Sequence, residues 1–460
     1  MNHTKNTTGQ TMALTSGNIK KQLLLFSIPI FLGTLLQQLY NVIDAVVAGR
    51  LVNDDALSAI GVSVPIYLLF VSVILGFAIG ITILLAQLFG AKQTAEIKRL
   101  IATMSIFLLI LGLVMAFAGA VLAKPLLRMT KTPNELLEPA CTYLRMLFWG
   151  IPFSIVYNLL GAVMRSFGET KTPLYALVVS SVINLLLNVL FVKNGGGIVG
   201  IAVATIIAQA ISGVYLFVQL QRKFPMTILQ KEDWGFDKGL FALSLKISTP
   251  IIIQQVAVFL GMLVVQGFIN RLGDPSIGGM TAASRIEAFV LLPVQALGNA
   301  LSIFTGQNIG ANEIKRMKQG TRFGVGASFT VTVVLSVVLL FGGKGILGLI
   351  IGNNEAMILS GYSYFQICLW FYPVNAIVYG LGGVLSGAGD TLIAGIYSFT
   401  SVMVKMIVTV FLIDRFGLLS VGIASCCGWC VASLIVAVRY KSNRWQSKAI
   451  IKTMQNGDKL

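Results

Sequence analysis

Side chains able to do chemistry are scarce in this chain, and the informative ones stand in apolar surroundings. The one histidine, His3, lies in the N-terminal tail, so neither imidazole catalysis nor a histidine metal site can be built. Asp44 stands near the end of the apolar stretch 22–49, and Glu287 inside the stretch 278–307. A carboxylate within an apolar segment is costly and marks an ion or substrate path. Gln37, Tyr40 and Asp44 fall at i, i+3 and i+7, one helical face that can hydrogen-bond around a single cavity. Asn184 and Asn188, at i and i+4, also share a face; Asn158, Thr205 and Gln209 are further polar residues in apolar stretches. The bland reading of such amides is glue between helices.

The second half contributes Arg285, Glu287 and Lys405, with Met262, Met280 and Phe289 as adaptable apolar wall. Arg285 and Glu287, two residues apart, point to different sides of a helix. Glu287 therefore either pairs with Lys405 across helices or faces a cleft that attracts cationic substrates. Of the five cysteines only Cys427 and Cys430 have a redox-like spacing; inside an apolar segment with no second pair, they read as packing residues. Gly387-Ala-Gly-Asp390 spells the GxGD of intramembrane aspartyl proteases. That chemistry needs two carboxylates sharing a proton, whereas Asp390 reads as a turn and helix cap.

These side chains must be positioned by membrane helices. Of 460 residues, 56% are hydrophobic and only 11% charged, and the mean hydropathy is +0.85. Soluble domains carry about 25% charged residues. A formal charge of +17 would suggest nucleic acid in a soluble protein; here it fits Lys and Arg retained in loops on one side of a membrane, and no nucleic-acid partner is expected. Runs of about 20 apolar residues place twelve spans, at 22–49, 57–88, 100–123, 143–164, 174–192, 198–220, 242–270, 278–307, 322–343, 361–385, 392–413 and 418–439. Alternate loops put 23 of the 34 Lys and Arg on the side of both termini, which predicts cytoplasmic termini in a cell (inner) membrane. No signal peptide is expected at the polar start.

The chain is also duplicated. Pro29, Arg50-Leu51, Pro152, Gly161 and Gly168-Glu-Thr170 return 221 residues later as Pro250, Arg271-Leu272, Pro373, Gly382 and Gly389-Asp-Thr391. Each half holds six spans, an even number, so the repeats share one orientation. The expected fold is an all-α integral membrane protein of twelve transmembrane helices. They form two six-helix bundles related by a pseudo-two-fold axis along the membrane normal. The expected divisions are a tail 1–21, a bundle 22–220, a linker 221–241, a bundle 242–439 and a basic tail 440–460. The same register sets Val265 opposite Asp44, Lys405 opposite Asn184 and Thr409 opposite Asn188. An acidic site is therefore expected in the first bundle only.

Over roughly residues 20–440 the sequence resembles the multidrug and toxic compound extrusion (MATE) transporters. The likeness is carried by Pro29 with Asp44 fifteen residues on, by Gln87-Leu-Phe-Gly90-Ala91 with its echo Gln307-Asn-Ile-Gly310-Ala311, and by Gly389-Asp390-Thr391. The resemblance implies secondary antiport: export of small amphipathic or cationic drugs against H⁺ or Na⁺, by alternating access and without a cofactor. It places Asn184, Asn188, Tyr40, Gln37, Asn158 and Thr205 around Asp44 as the coupling group, with Na⁺ a candidate at Asp44, Asn184 and Asn188. Some relatives carry a second acid where this chain has Asn188. Others couple through a seventh-helix acid, where this chain has Gln254 and Gln255; these two join Glu287, Arg285 and Lys405 as substrate-cleft candidates. Pro29 is expected to bend the first helix. A monomer amid membrane lipid is expected, and a lipid or lipid-linked-precursor flippase of the same superfamily is the alternative.

Overall fold

A computed structural model describes residues 13–52 and 54–449; within them lie thirteen α-helices and no strand. The first repeat supplies α1 (Ile19–Val47), α2 (Asp54–Gly90), α3 (Thr94–Met129), α4 (Asn134–Trp149), α5 (Ile151–Ser166), α6 (Lys171–Lys193) and α7 (Gly197–Lys223). The second supplies α8 (Lys238–Ile269), α9 (Asp274–Gly310), α10 (Ile314–Ile351), α11 (Glu355–Gly387), α12 (Thr391–Phe416) and α13 (Leu418–Lys441). Eleven helices are each long and apolar enough to cross a membrane; α4 and α5 qualify only together, as a span bent by 43°. Counting that pair once gives the twelve expected spans.

The thirteenth helix has a local cause. The first repeat reads Gly150-Ile151-Pro152 where the second reads Phe371-Tyr372-Pro373. A Cβ on Gly150 would lie 2.9 Å from Ile206 and 3.1 Å from the Leu147 carbonyl, so the close approach at the bend requires glycine. Pro152 then falls in the first turn of α5, where a missing N–H costs nothing. With Phe371 in place of the glycine, α11 runs on through Pro373.

The helices group into two units. One gathers Leu32–Leu245; the other gathers Thr15–Phe31 and residues 246–449. The division differs from the expected 22–220 and 242–439, because the first helix of each repeat starts in one unit and ends in the other. In the second unit, the Arg316 guanidinium donates to the carbonyls of Gly17 (2.7 Å) and Ser16 (3.0 Å) and to Gln22 Oε1 (2.6 Å). In the first unit, the expected linker 221–241 is pinned to α3. Lys98 meets Asp233 at 2.8 Å, the Asp237 N–H donates to Thr103 Oγ1 at 3.1 Å, and the rings of Phe107 and Phe241 sit 4.8 Å apart edge to face. Helix α1 is continuous through Pro29, and the change of unit falls two residues beyond it.

Each repeat centres on its second helix: α2 and α9, both of 37 residues, are the most buried spans of their repeats. In a membrane, close approach depends on small residues, because lipid is as apolar as leucine. Helices α9 and α11 meet along such a face. A Cβ on Gly279 would lie 2.6 Å from the Met357 carbonyl, and one on Gly361 would lie 2.6 Å from that of Gly279. Further along, Gly383 and Gly387 lie against the backbone of Gly298 and Ser302 with no room for any side chain.

The duplicated Gly-acid-Thr turns close each repeat. Asp390, 4% exposed, accepts from Arg439 Nε at 2.6 Å at the end of α13. Glu169 accepts from the N–H groups of Lys171 and Thr172, both at 3.0 Å, and from Lys223 Nζ at 3.1 Å at the end of α7. Both acids stand at a helix start and are tied to the last helix of their repeat, but only Glu169 bonds the N–H groups of its helix; Asp390, expected as a cap, spends its carboxylate on Arg439 instead. Burial works against the charge on Glu169, but the bonds from Thr172 and Lys223 outweigh it and hold the carboxyl below its usual range.

Two expectations follow. Gly383→Val should cost about 1–3 kcal/mol by overpacking, and Gly326→Ala, where a Cβ meets open space, should cost almost nothing; thermal unfolding in detergent reads both. A depressed carboxyl contributes stability that is complete above its ordinary range and is lost as pH falls through the folded value. Glu169→Gln should therefore lower stability by roughly 0.5–1 kcal/mol at neutral pH, and its melting curve should converge with the parent's toward pH 3.

Candidate ion site and substrate cavity

Asp44 sits in the last turn of α1, 9% exposed, just before a π-helical turn at Ala48–Val52. Its carboxylate Oδ1 accepts from Asn188 Nδ2 at 2.7 Å. The same Asn188 amide group donates to Asn184 Oδ1 at 3.0 Å, one helical turn back on α6. Asn184 Nδ2 donates to Thr205 Oγ1 on α7 at 3.2 Å, and the Tyr40 hydroxyl donates to the same oxygen at 3.3 Å. Thr205 passes its own proton to the Ile201 carbonyl at 3.1 Å. Five side chains from three helices thus form one chain that starts and ends on α1, and the hydroxyl of Thr205 is saturated. Asn184 and Asn188 are fully buried, and Asn188 Oδ1 has no partner among the described residues. A buried carbonyl oxygen left unmatched beside a carboxylate is an acceptor without its donor or cation.

Not every expected member joins. Gln37 is exposed, three residues before Tyr40 on a turn of α1 that has left the network. Asn158 turns back on its own helix, donating to the Ser154 carbonyl at 2.8 Å. Two tyrosines missed by the sequence reading close the site instead. Tyr143 on α4, 3% exposed, lies within electrostatic reach of Asp44, and Tyr67 on α2 faces Gln209 and Ser154. Both pack in one apolar cluster with Val47, Ala48 and Ile201 around the end of α1. Tyrosine is common on apolar helix faces, and their spacing gave no signal.

The second unit has no counterpart to that network. It holds instead a cavity of 490 Å³ walled by α8, α9, α11, α12 and α13. Glu287, Lys405, Gln254, Gln255, Met262 and Met280, all cleft candidates from the sequence, line it. Arg285 and Phe289 do not; two residues either side of Glu287, they turn to the opposite, exposed face of α9. Glu287 and Lys405 make no ion pair within 4.0 Å. Glu287 instead accepts from the Tyr364 hydroxyl at 2.8 Å, while Lys405 has no direct hydrogen-bond partner among the described residues. Val265, the repeat mate of Asp44, is part of the same wall.

Among the described residues no three His, Cys, Asp or Glu side chains converge as a metal site, and all five cysteines are free. A hard monovalent cation would find oxygens at Asp44, Asn184 and Asn188, the donor type such ions take; the saturated hydroxyl of Thr205 has none to offer.

Comparison with known proteins identifies the architecture. The MatE family profile matches residues 29–190 and again 250–411, one copy per repeat. The probable multidrug resistance protein YpnP of Bacillus subtilis is 32% identical over 94% of this chain and 97% of its own length. YoeA of the same organism, also a probable multidrug resistance protein, is 28% identical over 95% and 96%. The solved structure of a MOP superfamily transporter from Pyrococcus furiosus superposes with a TM-score of 0.88 at 19% identity, covering 96% of this chain and 99% of that one.

If Thr205 is the shared acceptor, Thr205→Val should strand two buried donors, at about 1–3 kcal/mol each. Thr205→Ser, which keeps the oxygen, should restore most of the loss. Thermal unfolding of the two variants side by side is the measurement.

Proposed function

The chain is a member of the MATE family of multidrug efflux transporters, and on that premise we propose that it is a secondary antiporter. It exports amphipathic or cationic drugs in exchange for H⁺ or Na⁺, by rocking of two bundles in a cell membrane with both termini in the cytoplasm. The observation that carries the coupling role is the bond from Asn188 to Asp44 beside the unmatched Asn188 oxygen.

Asp44 is the one carboxylate inside the apolar spans of the first repeat, so it is the group there whose charge an incoming ion can cancel. Ionised, it is a strong acceptor and holds the Asn188 amide, which in turn holds Asn184 and, through Thr205, Tyr40. A proton or Na⁺ on Asp44 removes most of that acceptor strength. A bound Na⁺ would also draw on the Asn188 oxygen, which requires the amide to turn over. Either event loosens the hold of α6 and α7 on the end of α1. Ion occupancy thereby becomes a change in helix packing, and export follows from a site that can be charged on one side of the membrane and neutral on the other.

The test is uptake of a fluorescent cation into vesicles with pH and Na⁺ gradients imposed separately. Asp44→Asn keeps size and hydrogen bonding; it should abolish gradient-driven transport while leaving the protein folded and inserted. Normal efflux by that variant would end the assignment of Asp44 as coupling group.

A further inference from the structure

Lys405 lies on α12 well inside an apolar span, and its neighbours in sequence, Val404 and Met406, offer it nothing polar. A cation in such a place is costly unless something compensates it. The obvious compensator, Glu287, is already engaged by Tyr364 at 2.8 Å and stands farther than 4.0 Å from the ammonium. The two charges act on one another electrostatically across the cavity without closing into a pair. Both still line the same 490 Å³ space, a volume typical of drug-sized ligands. The rest of the wall sorts into neutral hydrogen-bonding groups, such as Gln254 and Asn375, and apolar or aromatic surface, such as Met280 and Trp429.

A wall with one acid and one separated base is a poor receptor for a simple cation. Glu287 would attract it and Lys405 would repel it, in a space where neither charge is fully screened. A molecule with an anionic group at one end and a cationic or amphipathic body satisfies both. Resting on the exporter reading above, we propose that this cavity recognises substrates bearing a carboxylate, and that Lys405 is the specificity residue that binds it. The ammonium takes the carboxylate, Glu287 with Tyr364 faces the cationic portion, and the methionine and tryptophan surfaces take the ring system. The repeat makes the contrast plain. Position 184 in the first unit carries a neutral amide that serves an aspartate, and the equivalent position 405 carries the cation that would serve a substrate anion.

The experiment uses two dyes with the same ring system, rhodamine B, which carries a free carboxylate, and its ethyl ester, which does not. Binding to the purified full-length protein is read by fluorescence anisotropy, and transport by vesicle uptake. The expected result is that Lys405→Met weakens rhodamine B binding tenfold or more, leaves the ester within twofold or improves it, and does not lower the thermal midpoint. Lys405→Arg should retain the discrimination. Equal loss for both dyes, no loss for either, or failure of the parent to bind rhodamine B would overturn the proposal. If the binding split is found but neither dye moves under any gradient, the carboxylate site stands and the exporter reading falls.

Discussion

The hydrogen bond from Asn188 to Asp44 is the constraint around which the first unit is arranged. A charged carboxylate cannot be left bare among apolar helices, so something must meet it, and what meets it here is an amide and not a cation. The choice matters. An arginine or lysine partner would fix the charge state, whereas an amide supports the charge without cancelling it and leaves room for an ion to do so. The rest of the network follows, since Asn188 must itself be oriented by Asn184, and Asn184 by a threonine saturated on every side.

Gene duplication supplied both units with the same helices, and the sequence then diverged where polarity resides. The Gly-acid-Thr turns belong to the common plan, whereas the α9–α11 glycine face is the second repeat's own, since Gly279, Gly361 and Gly383 stand opposite Ser58, Ala140 and Ala162. The positions of Asp44 and Asn184 have become Val265 and Lys405, and the space beside them has opened as a cavity. One unit carries a hydrogen-bonded chain around Asp44; its copy has a hollow with separated charges. The bend at Gly150 is a further departure, confined to the first repeat.

Much of this was legible from the chain. The spans, the duplication and the separate faces of Tyr40 with Asp44 and of Asn184 with Asn188 followed from apolar length, matched spacing and helical periodicity, while the gathering of Asn184, Asn188 and Thr205 around Asp44 was what the family resemblance implied. Periodicity misled at Gln37, because seven residues of helix do not say which part of a shared face a neighbour covers. It was silent on Tyr67 and Tyr143, since a tyrosine facing a site and one packing in a core have the same spacing. It was weakest on the second unit's charges. Sequence could pose the alternatives for Glu287 and Lys405, but only the position of Tyr364, 77 residues away, resolved them. The place of the first helix's start in the second unit was also hidden, because its Arg316 contacts with Ser16 and Gly17 span 300 residues.

That last contact carries a consequence for biosynthesis. The segment from Thr15 to Phe31 is made well before the guanidinium that anchors it, which follows 300 residues later. At about 5–20 residues per second, the start of α1 waits roughly 15–60 seconds for its seat. Residues 32–245, which group as one unit, are complete before Arg316 is made. The N-terminal end of the first helix can therefore gain its Arg316 contacts only after most of the chain has been made.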